Sequence, residues 1–313
     1  MNRTDSPVGS LEAPAGLAEG GSRVETAVSV VIPAFNEERG IGPVLEELDS
    51  TMRATGWEYE IIVVDDGSSD RTAGVARERG VRVISHGKNK GYGAALKSGI
   101  RAARRPWILI TDADGTYPNS SIPDLLAEAR HHDMVVGART GEKVKGPMIR
   151  RPARWVLRSL AAYLAETPIP DINSGLRIFR RDRAIQFFPI LPAGFSFTTS
   201  ITLALLCNDF SVKYLPVDYE DRTGQSKIRP IRDMINFVLL IHRVVLYFNP
   251  LKIFVPVSLA ILAGFAVSAF YDIVILRDMT EKTLILLFAG VQILAVGLLA
   301  DMLSKGSRIG SRP

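Results

Sequence analysis

Asp112 and Asp114 stand one residue apart, directly after the apolar run Trp107 to Thr111. A strand ending there leaves both carboxylates at the open edge of a sheet, where hard oxygen ligands can hold Mg²⁺ or Mn²⁺ against the phosphates of a substrate. Two acids after a strand also make solvated turns and helix caps, so the neighbouring segments decide. Two of them end in the same way: Pro33-Ala34-Phe35-Asn36-Glu37 follows one apolar run, and Asp65-Asp66 closes another. A fourth segment, Lys88-Asn89-Lys90-Gly91, is a basic, glycine-containing loop that leads into a helix, the local chemistry of a phosphate neighbour.

The elements that must position these groups alternate from Ala27 to about Asp133. Strand Ala27 to Ile32 is followed by a helix from about Glu37 to Thr55, and strand Tyr59 to Val64 by a turn and helix N-terminus at Asp65 to Asp70. Strand Val81 to Ser85, a helix from about Tyr92 to Arg104 and strand Trp107 to Thr111 complete the series. Such alternation predicts an α/β fold with a mostly parallel sheet flanked by helices on both faces. In sheets of that kind ligands bind beyond the carboxyl ends of the strands, which is where the acidic clusters fall.

Composition removes several alternatives. The single cysteine, Cys207, excludes an intrachain disulfide framework and a thiolate metal site, and the four histidines lack ligand spacing. No G-x-G-x-x-G follows the first strand and no GK[ST] ends a glycine loop, so the dinucleotide and P-loop patterns are missing. A net charge of +5 suits nucleic acid, an anionic membrane surface or phosphorylated substrates; the last quarter of the chain favours the latter two, and no nucleic-acid partner is expected.

That quarter contains Ile253 to Leu276, apolar except for Asp272, and Thr283 to Ala300, which is uncharged. At 1.5 Å per residue each spans roughly 27–36 Å, about the thickness of a bilayer's hydrocarbon core. The expectation is a transmembrane hairpin. Lys252, Lys305, Arg308 and Arg312 flank its ends against Arg277 and Lys282 in the loop, which places both ends in the cytoplasm. Upstream, Ile231, Ile235, Val238, Leu239 and Val245 recur at helical spacing among Arg232, Asp233, His242 and Arg243, the pattern of an amphipathic helix lying in the interface. The expected organisation is a disordered leader (1–26), a catalytic domain (27–227), the interface helix (228–250), the hairpin (251–304) and a cytoplasmic tail (305–313), together an integral protein of the cell membrane.

The segments PAFNEE (Pro33 to Glu38), VVDDGSSDRT (Val63 to Thr72), NKGYGAALKSGI (Asn89 to Ile100) and TDADGTYP (Thr111 to Pro118), in that order, resemble family 2 glycosyltransferases of the GT-A fold. DINSGLRIFRR (Asp171 to Arg181), Gly194 to Phe197 and DRTGQSK (Asp221 to Lys227) are similar to the polyprenyl-phosphate glycosyltransferases, the dolichyl-phosphate mannose synthase-like branch. The resemblance covers about Val28 to Lys227. It implies that Pro33, Phe35 and Glu37, with the Asp65-Asp66 pair, hold the base and ribose of a nucleotide-sugar donor of the UDP-glucose or GDP-mannose type. It implies that Asp112 and Asp114 bind the metal bridging the donor diphosphate, with Lys88 and Gly91 nearby, and that Asp171 orients the sugar or the attacking group. Arg222, Ser226 and Lys227 resemble the family's mobile loop near the diphosphate and the lipid phosphate. Many relatives carry an acid where Thr198 and Thr199 stand, so no acid role is transferred to that site.

A lipid monophosphate acceptor has its second pKa near about 6 and is mostly dianionic at neutral pH. Such a nucleophile needs cations to position it more than a strong base, and Arg139, Arg154 and Arg158, upstream of Asp171, are the side chains expected to grip it. The expected reaction is metal-dependent, inverting transfer of one sugar to a polyprenyl phosphate at the cytoplasmic membrane face. Two other readings stay open: a membrane glycosyltransferase that extends a glycan or glycolipid, and a non-catalytic nucleotide-binding membrane protein. Assembly into a homo-oligomer is also left open.

Overall fold

A computed structural model of the chain describes residues 26–140, 159, 162–163, 165–194, 196–219, 247 and 249–309. Among these residues seven strands form one sheet: β1 (Ala27–Ala34), β2 (Glu58–Asp65), β3 (Arg82–Ser85), β4 (Trp107–Ile110), β5 (Met134–Ala138), β6 (Arg177–Arg180) and β7 (Val212–Pro216). Their order is β3-β2-β1-β4-β6-β5-β7. β6 pairs antiparallel with β4 and β5, while the other neighbours are parallel. The mostly parallel sheet expected from the alternating pattern is therefore present. The reversal of β6 matters for the site, because the segment entering β6 lies at the same rim as the carboxyl ends of the other strands.

Alternation along the strands sends side chains to two separate cores. On one face Val30, Ile32, Val63 and Leu109 pack with Ile41, Leu45, Leu48 and Met52 of α1 (Ile41–Ala54) and with Leu125 and Leu126 of α4 (Ile122–Ala129). On the other, Val31, Ile62, Val64 and Ile110 pack with Leu96 and Ile100 of α3 (Tyr92–Ala102) and with Phe197, Ile201 and Leu205 of α6 (Phe197–Leu206). The short helices α2 (Thr72–Glu78) and α5 (Arg181–Gln186) complete the two layers.

Two boundaries differ from the sequence reading for local reasons. Helix α1 begins at Ile41, not at Glu37. Asn36 has a left-handed backbone (φ 56), which no helix interior accepts, and the Glu37 carbonyl instead receives the N–H groups of Gly40 and Ile41 at 3.1 and 2.9 Å. β1 runs two residues further than Ile32, because Pro33 and Ala34 still pair with Val64 and Asp65.

At the C-terminal end α7 (Leu251–Tyr271) passes through a π-helical turn (Asp272–Leu276) and a short loop into α8 (Glu281–Ile309). Leu251–Leu276 and Glu281–Ser304 have mean hydropathies of 2.3 and 2.4, long and apolar enough to cross a membrane, and few of their residues are buried. Val267, Phe270, Phe288 and Leu303 point outward, as lipid-facing side chains do and those of a soluble core pair do not. Helix α8 continues past Ala300, where the second span was expected to stop, since the polar residues that follow end the apolar stretch without breaking the helix. Asp272 is buried in the turn and accepts from Thr280 N–H at 2.9 Å and Thr283 Oγ1 at 2.7 Å.

Candidate active site

The β1–α1 and β2–α2 loops are stitched into one surface. Asn36 N–H donates to Ser68 Oγ at 3.0 Å, Ser69 N–H to Asn36 Oδ1 at 2.9 Å, and Glu37 N–H to Thr72 Oγ1 at 2.8 Å. Pro33 is the penultimate residue of β1, and the nearby Phe35 ring is 37% exposed, high for a large aromatic residue and suited to stacking on a planar ring. Asp65, at the end of β2, accepts Ser68 N–H at 3.0 Å.

Asp66 faces the other way. One of its oxygens accepts Lys90 N–H at 2.9 Å and meets His86 Nδ1 at 2.6 Å, and the second accepts Gly91 N–H at 2.8 Å. His86 in turn reaches Ser98 Oγ at 2.9 Å through Nε2. Asp66 is buried, and in this arrangement it holds the basic loop of Lys88 and Gly91 in shape. Gly91 (φ 100) could not be replaced without strain, and a Cβ there would also come within 2.8 Å of the Ala193 carbonyl. Lys88 is exposed on this loop.

The loop runs directly into Tyr92, whose hydroxyl donates to Asp112 Oδ1 at 3.1 Å. Burial, reinforced by the Asp112 charge, pushes the Tyr92 phenol well above its ordinary pKa, so it remains a donor at all physiological pH values. Thr111 and Ala113 are buried while Asp112 and Asp114 are half-buried, which leaves both carboxylates on the accessible side of the rim. Asp114 Oδ1 accepts Thr116 Oγ1 at 2.7 Å. Among the described residues no group of three or more His, Cys, Asp or Glu could hold a metal ion. Two half-buried carboxylates are nevertheless the usual protein share of a Mg²⁺ or Mn²⁺ site completed by substrate phosphate and water.

The segment before β6 closes the rim. Asp171 takes Arg139 Nε on Oδ2 at 2.7 Å and Arg139 Nη2 on Oδ1 at 2.9 Å, a two-pronged pair, and also accepts Arg139 N–H and Asn173 N–H. The Arg139 guanidinium lies 5.3 Å from the centre of the Tyr219 ring. Burial opposes ionisation of Asp171, but the hydrogen bonds and charge of Arg139 outweigh it and hold the carboxyl below its usual range. Asp171 is therefore fitted to orient groups rather than to remove a proton. Gly175 N–H donates to Tyr117 Oη at 2.7 Å, and Gly175 itself abuts Asp112: a Cβ at 175 would stand 2.7 Å from Asp112 Oδ2.

The pair has a pH signature. A depressed folded pKa means that its contribution to stability is complete above the unfolded value of about 3.9 and is lost as pH falls through the lower folded value. Arg139→Ala leaves a largely buried carboxylate without its counter-ion and is expected to cost about 2–3 kcal/mol, less than for a fully buried pair because the Arg139 and Asp171 side chains are 26% and 11% exposed. Thermal unfolding at pH 7 should show a midpoint lowered by roughly 5–10 °C. At pH 3 the gap between variant and wild type should narrow.

Pro33 and Asp65, in the last residues of β1 and β2, and Phe35, Glu37, Asp66, Lys88, Gly91, Asp112, Asp114, Arg139 and Asp171, on the adjoining loops, all lie at one rim of the sheet. Arg154, Arg158, Arg222, Ser226 and Lys227, with most of the expected interface helix, lie outside the described residues. His86, Tyr92, Tyr117 and Arg177 were not singled out from the sequence. Only Arg177 leaves a signal there, as a cation inside the apolar run Leu176 to Phe179.

Comparison with known proteins bears on the family and the fold. Residues 29–188 match the family described as glycosyl transferase family 2, and residues 249–305 match the GtrB C-terminal hairpin. A dolichyl-phosphate hexose transferase of Haloferax volcanii is 32% identical over 207 residues, covering 65% of this chain and 87% of that protein. A dodecaprenyl-phosphate galacturonate synthase of Rhizobium johnstonii is 31% identical over 185 residues, covering 56% of this chain and 50% of that protein. The glucosyl-3-phosphoglycerate synthase of Mycobacterium tuberculosis, crystallised with Mn²⁺, uridine diphosphate and phosphoglyceric acid, superposes with a TM-score of 0.57 at 21% identity over 74% of this chain and 83% of that one. At that identity the likeness is one of fold.

Proposed function

The chain belongs to glycosyl transferase family 2, and on that premise we propose that it transfers one sugar from a nucleotide-sugar donor to a polyprenyl phosphate, with inversion, at the cytoplasmic face of a membrane. The observation that carries this reading is the joining, in one chain, of a two-aspartate rim to a hairpin long and apolar enough to cross a bilayer. The names of the Haloferax and Rhizobium relatives support the acceptor class. The hairpin ends, with Lys252 at one and Lys305 and Arg308 at the other, support the cytoplasmic side for the rim. We assign residues 27–227 to catalysis, 228–250 to the interface and 251–304 to the membrane anchor.

In this reading Pro33, Phe35, Glu37 and Asp65 receive the base and ribose, Asp66 acts on the donor through the Lys88–Gly91 loop, and the diphosphate lies over that loop toward Asp112 and Asp114. A divalent cation, Mg²⁺ or Mn²⁺, held by these two carboxylates and the diphosphate supplies charge stabilisation for the departing phosphate when bound. An oxygen of the lipid phosphate forms the new bond to the anomeric carbon as the bond from that carbon to the diphosphate breaks, and the electron pair leaves with the nucleoside diphosphate. A dianionic acceptor has no proton to lose. Asp171, locked to Arg139, orients the sugar or the attacking group, and Arg154, Arg158, Arg222, Ser226 and Lys227 are assigned to the two phosphates. The membrane anchor keeps the rim at headgroup height, which shortens the acceptor's search.

Purified protein in detergent, supplied with radiolabelled UDP-glucose or GDP-mannose and with undecaprenyl or dolichyl phosphate, is expected to yield an acid-labile labelled lipid with one donor. Label appearing only on an added glycan or glycolipid would overturn the acceptor assignment.

A further inference from the structure

Arg177 is fully buried at the start of β6, beside the apolar Leu176, Ile178 and Phe179. Among the described residues its donors go to neutral oxygens: Nε and Nη2 to the Ser174 carbonyl, and Nη1 to the Thr198 carbonyl at 3.0 Å and to Thr202 Oγ1 at 2.9 Å. Removing a guanidinium from water is costly even when its hydrogen bonds are made, and an apolar residue would fill such a position with less penalty. What the fork supplies, and an apolar side chain cannot, is a rigid link between three elements: β6, the first turns of α6 and the loop that precedes β6.

That link bears on the reacting centre through one peptide unit. The Ser174–Gly175 peptide is held at both ends, its carbonyl by Arg177 and its N–H by Tyr117 Oη at 2.7 Å. Gly175 forms the wall behind Asp112, with the carboxylate oxygens 2.7 and 3.0 Å from where a Cβ would sit. Ser174 Oγ donates to the Gly137 carbonyl at 2.5 Å, and Asn173 Oδ1 accepts Thr199 Oγ1 at 2.6 Å, so the same loop is also tied to β5 and a second time to α6.

We propose that Arg177 is a positioning residue for sugar transfer: by pinning the Ser174–Gly175 peptide to α6 it fixes the wall against which Asp112 is set, and so tunes the affinity of the Asp112–Asp114 pair for its divalent ion. This rests on the metal assignment above. The test measures Mn²⁺ binding by electron paramagnetic resonance, with saturating UDP or GDP, on the full chain in lipid nanodiscs, alongside kcat and KM.

Arg177→Met is expected to weaken Mn²⁺ binding about tenfold and to lower kcat about 100-fold, on the scale of losses of groups that orient metal ligands, with little change in the donor KM. Arg177→Lys keeps the charge without the fork and should restore only part of both. Thr202→Val, which removes a single acceptor, should fall between wild type and Arg177→Met. If Arg177→Met does not fold by circular dichroism, the decision passes to Thr202→Val and Arg177→Lys: weaker Mn²⁺ binding in either supports the proposal. Wild-type Mn²⁺ affinity and kcat in the folded variants would overturn it while leaving the metal assignment standing. A wild-type protein that binds no Mn²⁺ with either nucleotide would overturn both.

Discussion

Conversion of Asp112 or Asp114 to Asn is expected to lower sugar transfer by about 10³-fold or more while the thermal unfolding midpoint stays near that of the wild type. The two carboxylates are half-buried at the sheet rim and supply the negative charge that a divalent ion needs there. Asn keeps the size and removes the charge. Charge stabilisation by a bound metal amounts to several kcal/mol, and about 4 kcal/mol corresponds to 10³ in rate. Asp112→Asn should be the more damaging of the two, because its amide can present an N–H to Tyr92 Oη in place of the oxygen that now accepts at 3.1 Å. Steady-state transfer with saturating donor and Mn²⁺ reads the effect, and rates within tenfold of wild type for both variants would exclude these residues as metal ligands.

Gly175→Ala is expected to reduce kcat about 100-fold, the scale on which a misplacement of about 1 Å is felt. A Cβ at 175 would lie 2.7 Å from Asp112 Oδ2 and 3.0 Å from Cγ, closer than non-bonded atoms approach, so the carboxylate must move. The backbone at 175 is not in the left-handed region, so alanine brings no conformational strain and the protein should remain folded. The cost falls on the Tyr92–Asp112 hydrogen bond and on metal affinity. Gly74, in α2, has nothing within 4 Å of a built Cβ, and Gly74→Ala should leave transfer unchanged. Equal activity of the two alanine variants would show that Asp112 does not depend on the wall behind it.

The parts of this architecture that could be read from the sequence are those whose causes are local. Strands β1, β2 and β4, buried on both faces, appear as apolar runs, and the acids that follow them mark the rim. Length and apolarity mark the hairpin. The second half of the sheet is not written in that way. β7 is a half-exposed edge strand, and β6 begins with Arg177 and ends with Arg180, so neither shows a clean apolar period. Their pairing is fixed by contacts with residues far away in the chain, such as Ile110 opposite Arg177.

The same distinction applies within the site. Asp112 and Asp114 declare themselves by spacing, whereas the engagement of Asp66 with His86, Lys90 and Gly91 spans 20 to 25 residues and is invisible until the chain folds. Arg139 was expected to reach for a phosphate, yet two arms of its guanidinium are taken by Asp171, 32 residues away. A basic side chain near an anionic substrate has two kinds of partner available, and sequence does not rank them.

The central claim is that transfer from nucleotide to lipid phosphate depends on a divalent ion at the Asp112–Asp114 rim. Chelation followed by restoration tests it most directly: the rate of labelled polyprenyl-phosphate sugar formation is measured before EDTA, after EDTA, and after excess Mn²⁺. Loss of transfer on chelation and its return with Mn²⁺ in the wild-type protein, but not in Asp114→Asn, is the predicted result. Transfer that continues unchanged in EDTA would contradict the account.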